Sequence, residues 1–156
     1  MPASTATVVA DGWRKKVSLW QARQDVLMLE VHHGFFLTLG VHGWKRFYQV
    51  IEALTDQPDY ILEVMHIEAE MVATLAERFL SEVQIDAAVF SEPIGGNNGS
   101  LISPRMYEKF VLSSYLPVLD VLKRHGVEVI ILRTYANARV LIPSMMKFGI
   151  NCLWAC

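Results

Sequence analysis

Cysteine is nearly absent: the 156 residues contain only two, Cys152 and Cys156. On a strand, residues four apart share a face with their Cα atoms too distant for a disulfide, so both read as free thiols. Long apolar runs are missing as well. None reaches the ~18–20 residues that a membrane helix needs, because His32, His33 and Gly34 break one candidate and Arg133 breaks another. No block of Lys and Arg occurs, and 14 basic against 16 acidic residues leave a net charge of −2. The long-range attraction that nucleic acid or an anionic membrane exploits is therefore lacking. The opening stretch 1–11 has none of the charged-then-apolar plan of a secretory signal. These absences predict a cytoplasmic chain without nucleic-acid or membrane partners. Gly-x-Ser-x-Gly, paired catalytic cysteines, Cys-x-x-Cys, the P-loop and the dinucleotide fingerprint are all missing too. Acyl transfer, thiol redox chemistry and nucleotide binding lose weight accordingly.

What is present asks for a core. Apolar residues make up 53% and charged residues 19%, an ordinary globular balance tilted toward burial. The length suits a single domain spanning 1–156, with 1–25 set aside as an irregular lead-in. The stretch 26–39 (VLMLEVHHGFFLTL) mixes β-branched and aromatic residues and reads as a strand that bends or ends at His33 and Gly34. Trp44, Phe47, Tyr48, Ile51 and Leu54 recur at helical spacing. Asp56 to Pro58 end that helix and open a longer one, which keeps its period to about Val83. The methionines Met65, Met71, Met145 and Met146 read as core filling.

From 85 onward the pattern alternates. IDAAVF, VEVIIL and INCLWAC read as short buried strands, separated by helices that begin at Ser103-Pro104 and Ala138 and stop at Gly126 and Gly149. Strand, helix, strand, helix, strand with such connections makes a parallel sheet, so the class is α/β. A last strand without a covering helix leaves an exposed edge, which an independent domain seldom tolerates.

Functional groups in parallel sheets gather at strand exits. Glu92, with Ser91, Asn97 and Asn98, follows the IDAAVF strand; Arg133, Tyr135 and Asn137 follow VEVIIL; Cys156 ends the last. Glu92 at such a place suits an acid, a base or an anchor, or else a local cap. Gly95, Gly96, Asn97, Asn98 and Gly99 suit a loop that wraps a ligand, or plain turn chemistry. Arg133 needs an anion to offset its desolvation, either a ligand carboxylate or Glu92. The five histidines form no metal set; His32 and His33, at the end of the early strand, are the ones placed to act.

The text running from Asp86 to the C-terminus resembles the uroporphyrinogen decarboxylase superfamily. The pieces that carry the resemblance are the acidic strand exit and its Gly/Asn loop running into Leu101-Ile102-Ser103-Pro104, the aromatic-rich helix, Asn137, and Leu141-Ile142-Pro143 followed by Phe148-Gly149-Ile150-Asn151. The resemblance implies a TIM-like (β/α)8 barrel. Such barrels take ~250 residues, so this chain accounts for about half to two thirds of the ring. It also implies a lyase acting on a carboxylated tetrapyrrole or related anionic substrate. Under it Glu92, Arg133 and Tyr135 become the catalytic candidates, and Asn97, Asn98, Asn137 and His33 the substrate-binding ones. The family's methyltransferase branch holds zinc in a His-x-Cys-Gly-Asn pattern; here the corresponding residues are Arg133, Thr134, Tyr135, Ala136 and Asn137. The expectation is therefore no metal and no cofactor. The alternatives are methyl transfer without the usual zinc ligands, or an incomplete barrel needing a homodimer or missing barrel segments.

Overall fold

A computed structural model describes residues 5–155, with side chains from residue 11 onward. Four strands form one parallel sheet in the order β1 (Met28–His32), β2 (Ala87–Ser91), β5 (Val129–Thr134) and β6 (Cys152–Ala155). A two-residue hairpin, β3 (Gly95–Gly96) and β4 (Gly99–Ser100), stands apart from it. The α/β class holds. Cys156, named above as a strand exit and a thiol, lies outside the described residues.

The lead-in read as irregular is helical. Helix α1 (Thr5–Gln21) packs Trp13 and Trp20 against Phe79, and Trp13 Nε1–H donates to Glu82 at 3.2 Å. The early strand is shorter than expected, because the chain turns at His33 and Gly34 into the one-turn helix α2 (Phe35–Thr38). Helices α3 (Trp44–Asp56) and α4 (Pro58–Leu80) follow, Pro58 opening the second, where its missing N–H costs nothing. Asp86 ties the start of the sheet together. Its carboxylate accepts from the Leu27 N–H at 2.7 Å and from Arg23 at 3.0 Å, which holds its pKa below the usual range.

Ser103 caps α5 (Pro104–Met106) by accepting the Met106 N–H at 3.2 Å. The helix then widens into a π-helical stretch over Tyr107–Leu112 before α6 (Ser113–Arg124), a feature the sequence reading did not foresee. Gly126 ends it with φ +73°, a conformation that side chains resist. A 3₁₀ turn (Arg139–Leu141) and α7 (Ile142–Lys147) lead to β6.

The sheet has two unlike faces. Ala88, Phe90, Ile130 and Leu132 face the helices and join the main core with Met65, Tyr107, Tyr115 and Leu122. On the other face Ala87, Val89 and Ile131 form a small separate cluster. Met65 and Met145 are core residues as expected; Met71 and Met146 are exposed instead, since each sits on a helix side that nothing among the described residues covers. No described helix is long and apolar enough to cross a membrane.

Candidate functional site

Two clusters of polar side chains sit at the C-terminal ends of the strands, one on each side of the sheet. Their separation begins with a β-bulge. Glu30 pairs with Val89 and His32 with Phe90, so Val31 is the surplus residue in β1. In a regular strand His32, two residues on, would share the side of Glu30; the bulge re-aims it to the helix-covered side.

On that covered side Glu92 is the hub, with 0% of its surface exposed. Its carboxyl accepts the Phe35 N–H at 3.0 and 3.1 Å and the Tyr115 hydroxyl at 2.5 Å. His32 stands beside it, Nε2 being 3.4 Å from Glu92 Oε2 and without a hydrogen bond, while Nδ1 lies 3.8 Å from Glu68 Oε2. Glu68 in turn accepts the Thr38 hydroxyl at 2.9 Å. Burial, and then the Glu92 carboxyl, push the Tyr115 phenol well above its ordinary pKa, so it stays a donor. Tyr107 is shifted the same way for the same reasons, and its buried hydroxyl has no partner. Next to this cluster an open groove of about 1000 Å³ runs between α1, β1 and α4, its apolar wall including Trp13, Leu29, Met71 and Phe79 and its polar wall Glu30, His32, His33 and Glu68.

On the open side Arg133 is the centre. One of its terminal nitrogens donates to Glu30 Oε1 at 2.7 Å and to the Ser91 hydroxyl at 3.0 Å. The guanidinium carbon lies 5.6 Å from the Trp154 ring centroid, within cation–π reach. Its Nε–H is buried with no partner. His33 is exposed at the same rim, Nδ1 3.8 Å from Glu30 Oε1. The expected pairing of Arg133 with Glu92 does not form. Ser91 is the register partner of Arg133, so the next residue, Glu92, leaves the sheet on the opposite face.

The remaining candidates cluster through their backbones. Asn137 N–H donates to the Gly96 carbonyl at 3.1 Å, locking the 95–100 hairpin to the loop after β5. Asn97, Asn98, Tyr135 and Asn137 are all exposed, and the Asn137 side chain accepts the Arg139 N–H at 3.3 Å. Gly95 makes this junction fit, because a Cβ there would stand 2.2 Å from the Tyr135 carbonyl oxygen. Gly95→Ala should therefore cost about 1–3 kcal/mol, as overpacking does, and loosen amide-exchange protection at Asn137. Retained stability with an unchanged Asn137 amide would show the two loops are not in contact.

Glu30, Trp154 and Tyr115 were not singled out from the sequence as site residues. Glu30 and Trp154 meet Arg133 only through pairing across β2 and β6, which no local pattern announces. Among the described residues no three His, Cys, Asp or Glu side chains are grouped to hold a metal ion. Comparison with known protein families, curated proteins and solved structures returns no match.

Proposed function

We propose that the open-side rim binds a carboxylate-bearing small molecule, and that the chain works as part of a TIM-like barrel lyase of the uroporphyrinogen decarboxylase type. The observation that carries the reading is Arg133. Glu30 and Ser91 hold the guanidinium in place, yet its Nε–H is desolvated and unpaired. The side chain keeps 26% of its surface exposed at the rim, with only one terminal nitrogen engaged, so an anion arriving there meets a permanent cation with donors to spare. Trp154 beside it offers an aromatic face to a flat ring system.

The lyase class comes from the sequence resemblance, and the site chemistry is compatible with it. Loss of carbon dioxide breaks a carbon–carbon bond and leaves the electron pair on the substrate, where a proton must replace it. Donors fixed around that developing charge accelerate the step only if they hold it more tightly than the bound acid. In this reading Arg133 anchors a carboxylate, His33 and Tyr135 stand at the rim as proton carriers, and Asn97, Asn98 and Asn137 border the mouth. Glu92 has no route to a bound ligand through its packed surroundings, so its part is to position His32 and the turn into α2. The exposed free thiol of Cys152 suits a reducing, cytoplasmic setting.

Titration with uroporphyrin, followed by quenching of its fluorescence, tests the anchor. Arg133→Ala should weaken binding about 10- to 100-fold, the range for losing one or two hydrogen bonds to a charged group. Arg133→Lys should recover only part, since an ammonium cannot reproduce the fork. Equal binding by all three proteins would remove Arg133 as the anchor.

A further inference from the structure

The open-side rim presents an ion pair with unused capacity on both members. Arg133 engages Glu30 Oε1 and the Ser91 hydroxyl through the single nitrogen Nη2, and no described residue accepts from Nη1. Glu30 mirrors it. Its Oε1 receives Arg133 at 2.7 Å and has His33 Nδ1 at 3.8 Å, whereas no described residue donates to Oε2. A carboxylate offers about four lone-pair positions, so most of that capacity stays open. Both side chains reach the surface, Arg133 with 26% and Glu30 with 37% exposed. A cation and an anion thus stand 2.7 Å apart, each with hydrogen bonds left to make.

We infer that the ligand of this rim is a zwitterion of the amino-acid kind, its carboxylate taken by Arg133 and its ammonium by Glu30. The inference rests on the carboxylate reading above and narrows it. Charge decides between ligands here. Glu30 already balances the Arg133 guanidinium, so a plain carboxylate brings a second negative charge beside the first, and like charges in contact oppose binding. A zwitterion adds no net charge. Its two ends lie head to tail against the protein pair, so every close contact joins opposite charges and none is desolvated without a partner. Charge-assisted hydrogen bonds run to about 2.7–2.9 Å. Closing a circuit of that size on the 2.7 Å protein pair requires the ligand's own charges to be neighbours, as when carboxylate and ammonium sit on one carbon or on adjacent carbons. Arg133 is then the anchor, and Glu30 the residue that sets specificity.

The sheet fixes the spacing of the two charges. Glu30 stands on β1 and Arg133 on β5, the two neighbours of β2, whose Ser91 hydroxyl accepts from the guanidinium at 3.0 Å. Both side chains are therefore held before any ligand arrives, and charges set in place in advance discriminate better than charges that must be gathered. Trp154, its ring 5.6 Å from the guanidinium carbon, gives an aromatic substituent of the ligand a flat surface.

A matched set of ligands reads the charges one at a time. Free phenylalanine, 3-phenylpropanoate and 2-phenylethylamine carry both charges, the anion alone and the cation alone on one aromatic frame, so Trp154 meets the same ring throughout. Calorimetric titration near neutral pH should show phenylalanine binding at least about tenfold tighter than either of the others, the effect of one hydrogen bond between charged groups. Glu30→Gln keeps an acceptor for Arg133 and removes the charge. It should erase the advantage of phenylalanine over 3-phenylpropanoate while 3-phenylpropanoate binds at least as tightly as before. Equal binding of those two acids by the wild-type chain overturns the zwitterion and leaves the carboxylate reading standing. A preference for phenylalanine that survives Glu30→Gln does the same. Equal binding of phenylalanine and 2-phenylethylamine, or binding of neither acid, refutes the carboxylate reading itself and the inference with it.

Discussion

Glu92→Ala is expected to lower the unfolding free energy by about 3–5 kcal/mol, the cost of taking one member out of a buried hydrogen-bonded charge cluster. Three groups lose their acceptor or neighbour at once: the Phe35 N–H, the Tyr115 hydroxyl and His32. None can reach water, because Phe35, Tyr115 and His32 are all buried. Denaturant midpoints at matched protein concentration measure the loss. Tyr115→Phe in the Glu92→Ala background should then cost much less than Tyr115→Phe alone, since the hydroxyl has already lost its partner. Strict additivity of the two substitutions, or a loss under about 1 kcal/mol for Glu92→Ala, would show that the carboxyl does not organise the cluster.

Phe90→Ala should cost as much, about 3–5 kcal/mol, for a purely apolar reason. Phe90 lies in a central strand with no exposed surface, and its ring centroid is 4.5 Å from that of Tyr115. The void left behind is walled by sheet and helix backbone, so it relaxes only in part. Against a total stability of ~5–15 kcal/mol such a loss leaves a protein that unfolds at low urea. A shift in midpoint worth less than about 1 kcal/mol would mean that α6 does not pack over β2.

Much of this arrangement is legible locally. The helix begun by Ser103-Pro104, the stop at Gly126 and the short runs AAVF and IIL each follow from side-chain chemistry a few residues wide. Even the π-helical stretch leaves a trace. The apolar positions Phe110 and Tyr115 are five apart, one more than an α-helix allows for a shared face, and the widened turn absorbs the surplus. The boundaries were less legible. VEVIIL suggests a strand ending before Arg133, whereas pairing with Ser91 extends β5 through Arg133 to Thr134. The partners in the rim were not readable at all. Glu30 and Arg133 meet because β1 and β5 flank the same strand, and the bulge at Val31 decides which neighbours they have. Helix α1 escaped notice because its covering surface, at Phe79 and Glu82, is distant in the chain.

The surplus residue in β1 has a spatial consequence. It sets the imidazole of His32 on the side of the layer opposite to the guanidinium of Arg133. Yet Ser91, which grips the guanidinium, and Glu92, which neighbours the imidazole, are joined by a single peptide unit. The contacts of Arg133 and the anchor of Tyr115 and of the turn into α2 thus lie one residue apart along the chain, on opposite faces of the layer.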